Sequence, residues 1–254
     1  MIENLIEQIP GATPVFVLVA GFVIGLAHAF EPDHVAAVAT QATKSRQNRS
    51  LPVFRRIGVG AFKGSILGAL WGAGHTSTLL LVSLLIFVFS LSIPPQVFSN
   101  LELIVGMMLV FLGASIYLNK KLLRKRHEHP HVHEDGMIHT HQHDHNKEHR
   151  HGHKSYIIGC IHGLAGSGAL VVLALSTLSD VQIILSFVLV FGVGSILGMM
   201  MVSGAIGLPF VISTHSEKIH KALRFVVGAI SITIGFDILY NVTLESGNFF
   251  GLHL

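Results

Sequence analysis

The sequence has little charge and almost no cysteine. Only 12% of its 254 residues are Asp, Glu, Lys or Arg, about half the share in an ordinary soluble domain. Cys160 is the one cysteine, so the chain can form neither an internal disulfide nor a cysteine-based zinc site. Its apolar segments contain no His-Glu-x-x-His pair, and no Gly-x4-Gly-Lys-Ser/Thr loop occurs. A zinc-protease helix within the apolar segments and a P-loop nucleotide site are therefore excluded.

Long apolar runs take the place of the missing charge. Half of the residues are hydrophobic, and residues 15–27, 79–91 and 183–208 contain no charged side chain. About 18 or more apolar residues can cross the hydrocarbon core of a bilayer. The sequence therefore predicts an all-α polytopic membrane protein, with six spans near residues 14–42, 59–91, 100–118, 156–178, 181–212 and 221–241.

The basic residues lie on one side of the predicted spans. All 17 Lys and Arg fall beside the first and second spans, after the third, or after the fifth. The opposite side contains no Lys or Arg, and its acidic residues are Glu3, Glu7, Asp180 and Glu245. By the positive-inside rule we expect both termini outside the cell (plasma) membrane and the basic loops in the cytoplasm. The net charge of +3 then reflects topology, and we expect no nucleic-acid partner.

Three matches in the same order relate the two halves of the chain. Gly25 to His28 resembles Gly159 to His162, Gly64 to Gly68 recurs as Gly194 to Gly198, and the Gly106/Gly113 pair recurs as Gly228/Gly235. Each half contains three spans, an odd number, so the second half should be inverted. We expect residues 1–118 and 156–254 to form two inverted three-helix repeats, as in many secondary transporters. The glycines also permit close helix packing.

Ionisable residues surround a proline within the first span, in the stretch GLAHAFEPDHVAAV. Such groups are costly at membrane depth and usually face a cavity or a partner. Pro32 has no N–H, so it should interrupt the helix and leave the carbonyl of His28 unbonded. The interruption would bring His28, Asp33 and His34 together, although an unbroken helix would hold the two histidines about 240° apart. Imidazole and carboxylate suit Ni²⁺, Co²⁺ or Zn²⁺.

Other polar residues of the spans are candidates for the same site. His75 is the fourth predicted ligand, because the small residues around it in Gly72-Ala73-Gly74-His75 let another helix approach. His162 occupies the repeat position of His28, but glycine and serine replace the acidic cluster there, so the site should be asymmetric. Further candidates, as ligands or as residues that orient them, are Glu31, His162, Ser167, Thr76 and Asp237.

A histidine-rich loop separates the two halves, within residues 119–155. Its composition of His, Asp, Glu, Pro and Gly cannot form an apolar core, so we expect disorder. Neutral imidazoles there would capture metal ions in the cytoplasm and release them as the pH falls through about 6.5. A merely solvating linker is the alternative. The capture residues would be His127, His129, His131, His133, His139, His141, His143, His145, His149, His151 and His153.

These motifs resemble those of the nickel/cobalt transporter (NiCoT) family. Its first-span signature, His-x4-Asp-His, is matched by His28, Asp33 and His34, and its glycine-histidine motif by Gly74-His75. The stretch from His162 to Leu170 is similar to the urease-accessory (UreH-like) branch, and the histidine loop to the nickel/cobalt efflux branch. The resemblance implies that the matched residues recognise Ni²⁺ or Co²⁺ on the permeation path.

The sequence thus favours a secondary transporter and no enzyme. We favour uptake of Ni²⁺ or Co²⁺ across the cytoplasmic membrane, with efflux of Ni²⁺, Co²⁺ or Zn²⁺ by counter-ion exchange as the alternative. The expected partners are the metal ion, the bilayer and cytoplasmic metal-delivery proteins, with no cofactor. An intramembrane serine protease using Ser167 is a remote alternative, because residues 221–241 contain no histidine to activate a serine.

Overall fold

The computed structural model describes residues 13–43, 52–89, 95–118, 130–132, 138–140, 150–165, 181–213, 216–245, 248–249 and 252–253. These residues form seven helices: α1 Pro14–His28, α2 Pro32–Ala42, α3 Val53–Phe89, α4 Pro95–Tyr117, α5 Arg150–Ala165, α6 Val181–Ile212 and α7 Glu217–Glu245. Two short antiparallel pairs accompany them: β1 Pro130–Val132 with β2 Ile138–Thr140, and β3 Asn248–Phe249 with β4 Leu252–His253.

The helices confirm an all-α polytopic membrane protein. Among the described residues, α3, α4, α6 and α7 are each long and apolar enough to cross a bilayer, and the bent pair of α1 and α2 makes a fifth span when the two helices are counted as one. Of the predicted fourth span, only the part up to residue 165 is described, as α5. The α3 helix has 37 residues and extends about 55 Å, well beyond a hydrocarbon core of about 30 Å.

Three parts of the histidine loop are among the described residues. Residues 130–132 form an antiparallel pair with residues 138–140, with His131 opposite His139. The α5 helix begins at Arg150, so His151 and His153 lie in its first turn. The expectation of disorder for the loop as a whole stays a prediction. The other loop histidines lie outside the described residues.

The first span is interrupted where the sequence predicts it. The α1 helix ends at His28, α2 begins at Pro32, and their axes differ by 51°. Pro32 occupies the first position of α2, where a missing N–H breaks no helical hydrogen bond. The prediction of a free His28 carbonyl is wrong, because the Glu31 N–H donates to it over 3.1 Å. The turn itself therefore satisfies the carbonyl that Pro32 leaves behind.

Serine hydroxyls link neighbouring helices through backbone carbonyls. Ser195 on α6 donates to Gly25 on α1 over 3.1 Å, and Ser203 on α6 donates to Gly64 on α3 over 2.7 Å. Equivalent bonds join α5 to α3 and α7 to α4, from Ser155 to Leu67 and from Ser231 to Leu109. Such bonds suit a bilayer, where helices associate through close packing and hydrogen bonds, with no hydrophobic force between them.

Glycines set the spacing between the same helices. A Cβ on Gly74 would lie 2.1 Å from the Tyr156 carbonyl oxygen, and one on Gly159 would lie 2.1 Å from that of Trp71, so α3 and α5 touch backbone to backbone. Gly106 and Gly113 of α4 face Gly235 and Gly228 of α7 in the same manner. The close contact between α4 and α7 thus joins two helices that the sequence relates as repeats, whereas α3 and α5 are not such a pair. The division into two inverted repeats stays a prediction.

Candidate metal centre

Four buried histidines meet at the break in the first span. His28 ends α1, His34 lies in the first turn of α2, His75 lies midway along α3, and His162 lies near the described end of α5. Their exposed fractions are 2% for His28 and 0% for the other three. The structure thus brings together the imidazoles of two separate halves of the chain, in the interior of the helix bundle.

The Asp33 carboxylate links two of these imidazoles. Its Oδ1 accepts from the His34 N–H over 2.8 Å and lies 3.0 Å from the Nδ1 of His34. Its Oδ2 lies 2.8 Å from the Nε2 of His162, a residue 129 positions away in the chain. Asp33 stands in the first turn of α2, where the positive end of the helix dipole favours a carboxylate.

Glu31 approaches the cluster from its more exposed side. Its Oε1 lies 2.7 Å from the Nδ1 of His28, and its Oε2 lies 3.9 Å from the Nδ1 of His34. A carboxylate against one imidazole nitrogen fixes the ring and makes the other nitrogen a better metal ligand. Glu31 is therefore placed to orient His28.

We expect the Glu31→Gln variant to bind Ni²⁺ about 10-fold more weakly, the lower end of the 10–100-fold range for residues that orient metal ligands. The neutral amide still fills the space beside His28 but no longer polarises its ring. Competition against a chromophoric chelator measures the change, with purified proteins in detergent that carry Gln at the eleven loop histidines so that the loop does not contribute. Equal affinities for the two proteins would show that Glu31 does not act on His28.

The ligand atoms fall into two overlapping groups. The three-histidine group comprises His28, His34 and His75, and the aspartate group comprises Asp33, His34 and His162. In each group, one ligand atom per residue lies within 4.8 Å of the others. Bonds of about 2.1 Å to a common ion need ligand atoms about 3–4 Å apart, so small movements of the side chains are enough for either group to share an ion.

Several ring nitrogens of the cluster are available to a ligand. The Nε2 of His28, the Nε2 of His34 and the Nδ1 of His162 are buried, and no described residue forms a hydrogen bond with them. Buried polar atoms are normally paired, so unsatisfied ones in a polar cluster call for a partner. Imidazole nitrogens with a carboxylate are a donor set that borderline divalent ions accept.

Trp71 is a member of the site that the sequence analysis missed. Its fully buried ring stacks on His34 at 5.5 Å between centroids and meets His162 edge-on at 5.4 Å. It is the chain's one tryptophan and precedes His75 by one helical turn. Residues four positions apart lie on one face of a helix. This spacing between Trp71 and His75 is the sequence signal that could have identified Trp71 as part of the site.

The remaining candidate residues lie elsewhere. The Thr76 hydroxyl donates to the Gly192 carbonyl on α6 over 3.3 Å, so it serves helix packing. Asp237 is exposed on the surface of α7. Ser167, on which the protease alternative depends, lies outside the described residues.

Comparison with known proteins places the chain in a family. No protein-family model and no solved structure matches it. The urease accessory protein UreH of Bacillus sp. (strain TB-90) is 37% identical over 237 residues, which are 92% of this chain and 94% of the relative. The chain belongs to the UreH family. Its membership agrees with the predicted urease-accessory branch, and the accessory role named for the relative supports the prediction of a protein that is not an enzyme. This UreH-family chain is a multi-pass membrane protein.

Proposed function

We propose that this UreH-family chain is a secondary transporter that carries Ni²⁺, with Co²⁺ as the second candidate, into the cytoplasm. One observation carries the proposal: four buried imidazoles and the Asp33 carboxylate converge at the interruption of a membrane span. Ionisable residues at such a depth usually mark an ion pathway. The name of the relative, a urease accessory protein, supports nickel, the metal of urease.

The membrane potential is a sufficient source of energy for uptake. An inside-negative potential contributes about 4.6 kcal/mol per 100 mV to a +2 ion, from about 2.3 kcal/mol for each unit charge. No P-loop is present, and none is needed. Export against this potential would require exchange with protons or another ion. Uptake and export can therefore be distinguished by whether metal flux needs a counter-ion gradient.

The proposed orientation follows from the basic residues. Arg55 and Arg56 lie at the start of α3, Lys154 lies near the start of α5, and Lys221 and Arg224 lie near the start of α7. We place these helix ends in the cytoplasm by the positive-inside rule. The histidine loop between α4 and α5 then collects or buffers the ion on the cytoplasmic side, where metal-delivery proteins would receive it.

The test is ⁶³Ni²⁺ flux into proteoliposomes of known protein orientation, with and without an imposed potential. We expect potential-driven movement toward the cytoplasmic face, reduced by about 100-fold or more in Asp33→Asn, since even residues that only orient ligands contribute 10–100-fold. The Glu217→Gln variant is the control, because it neutralises an exposed carboxylate whose partner is Lys221 and surface pairs contribute little.

Three other results would each change the conclusion. Movement only in the opposite direction, and only with a counter-gradient, would make the chain an exporter. Flux of zinc without nickel would replace the proposed cargo. Nickel flux that is equal in the wild type and Asp33→Asn would remove the proposed site from the pathway.

A further inference from the structure

The two ligand groups differ in their aromatic neighbours. The Phe191 ring of α6 contacts His28 of the three-histidine group, at 5.5 Å between centroids. Trp71 contacts His34, which both groups share, and His162, which belongs only to the aspartate group. His162 lies at the level of His75, because its neighbour Gly163 packs on the His75 backbone. The aspartate group is therefore distinguished by its contact with Trp71, which lies one helical turn nearer the basic start of α3 than His75.

Trp71 also lines a small cleft. The cleft has about 20 Å³ of room for the centre of a water molecule, and its lining comes from the halves of α2, α3, α5 and α6 nearest the basic loops. Gln41, Gly60, Ser155 and Phe210 are among the lining residues, and Trp71 is the one cluster neighbour among them. The indole N–H of Trp71 has no acceptor among the described residues, so rotation of the ring would break no hydrogen bond there.

The two groups also differ in charge. The three-histidine group offers neutral nitrogens, whereas the aspartate group contains a carboxylate. A divalent ion gains electrostatic energy when it acquires an anionic ligand in a medium of low dielectric constant. Because both groups contain His34, an ion passing between them can keep one ligand throughout. The ion is therefore never without a ligand in the bilayer interior, where an unpaired charge is most costly.

We propose that the transported ion occupies two successive positions that share His34, first the three-histidine group and then the aspartate group, from which it leaves past Trp71 into the cleft. The inference rests on the proposed transport function and adds His162 as a ligand of the second position. The contact between His162 and Asp33 then holds that position ready for the ion.

The test uses Co²⁺ as the probe, because its visible absorption spectrum reports the ligands. All proteins are full-length and carry Gln at the eleven loop histidines, so that the signal comes from the membrane part. His75→Ala disrupts only the three-histidine group, and His162→Ala disrupts only the aspartate group. We expect each variant to bind one Co²⁺ with a different spectrum, and Co²⁺ flux into proteoliposomes to fall about 10-fold or more in both.

Two further proteins separate a ligand from a residue that only positions Asp33. His162→Gln can still donate a hydrogen bond to Asp33 but is a poor metal ligand, so we expect it to behave as His162→Ala does. Recovery of the wild-type spectrum and flux in His162→Gln would reduce His162 to a positioning role and overturn the inference. Cys160→Ala, a change on the same helix two residues away, should leave the spectrum and flux unchanged.

The possible failures are distinguishable. If the loop-substituted protein without any further change neither binds nor moves Co²⁺ or Ni²⁺, the proposed function itself is wrong. If it binds and moves Co²⁺ but His162→Ala has the same spectrum and flux, the function stands and the second position does not exist. Loss of all Co²⁺ binding in His75→Ala would also overturn the inference, because the aspartate group would then not bind an ion alone.

Discussion

His34→Asn is expected to remove metal binding and metal flux together. His34 belongs to both ligand groups. It is fully buried, so an exposed side chain cannot take its place as a ligand. Asparagine keeps a polar side chain in the site but has no imidazole nitrogen. The variants of His75 and His162 should each keep one group of ligands, whereas this variant keeps neither.

Thermal unfolding in detergent measures the loss. At a free Ni²⁺ concentration of 100 times the dissociation constant, a ligand that binds only the folded state adds about 2.7 kcal/mol of stability. We expect this nickel-dependent gain in the wild type and none in His34→Asn. The comparison uses the loop-substituted background, so that binding to the loop does not contribute.

Ser83→Ala is the matched control for this experiment. Ser83 is as deeply buried as His34, but its hydroxyl donates only within α3, to the Leu79 carbonyl over 2.7 Å. This variant should lose a little stability and keep the whole nickel-dependent gain. A full nickel-dependent gain in His34→Asn would show that the ion binds elsewhere.

Gly159→Ala is expected to have the second large effect, on the assembly of the site. The added Cβ would lie 2.1 Å from the carbonyl oxygen and 2.4 Å from the Cδ1 of Trp71, distances at which atoms overlap. The backbones of α3 and α5 would have to separate. Since α5 carries His162 and α3 carries His75 and Trp71, the aspartate group would open. Overpacking of this kind typically costs about 1–3 kcal/mol, and more where backbone must move.

Gly58→Ala is the control, because a Cβ there would have no neighbour within 4 Å. Alanine is a better helix former than glycine by about 1 kcal/mol, so this variant should be as stable as the wild type or more stable. Size-exclusion chromatography after heating measures how much protein stays monodisperse and so reports the stability. Chelator competition on the loop-substituted background gives the Ni²⁺ affinity. Equal results for the two alanine variants would mean that α3 and α5 do not meet at Gly159.

The sequence predicted those parts of the fold that depend on local chemistry. Pro32 interrupts the first span because a proline cannot continue the helix before it, but it can begin the next one, as it does in α2. The long apolar runs predicted membrane-spanning helices. Among the described residues, α3, α4, α6 and α7 are such helices. The convergence of His28, Asp33 and His34 followed from the same interruption, since three residues so close in sequence have few ways to be arranged around it.

Contacts between distant residues could not be predicted in this way. Gly74, Gly159 and Gly163 let α5 lie directly against α3, which places His162 beside His75 and Trp71. The contact of His162 with Asp33 on α2 depends on this packing of helices from both halves of the chain. The repeat relationship made His162 a candidate but gave it no partner. Trp71 was passed over because a tryptophan in an apolar run is usually a packing residue, and its stacking on His34 depends on how two helices are rotated about their axes.

The bend in the first span also has a consequence for synthesis. The α2 helix contains Asp33, His34 and Gln41 and packs against α4, α6 and α7, of which two are made last. When α2 leaves the ribosome, the helices that shelter it are still to be translated, and at 5–20 residues per second α6 follows on the order of 10 s later. The polar residues of α2 are therefore incompletely covered until the second half arrives. A chain stalled before α6 should be recognised by membrane quality-control proteases, since only α4 of the three helices that pack on α2 is then present.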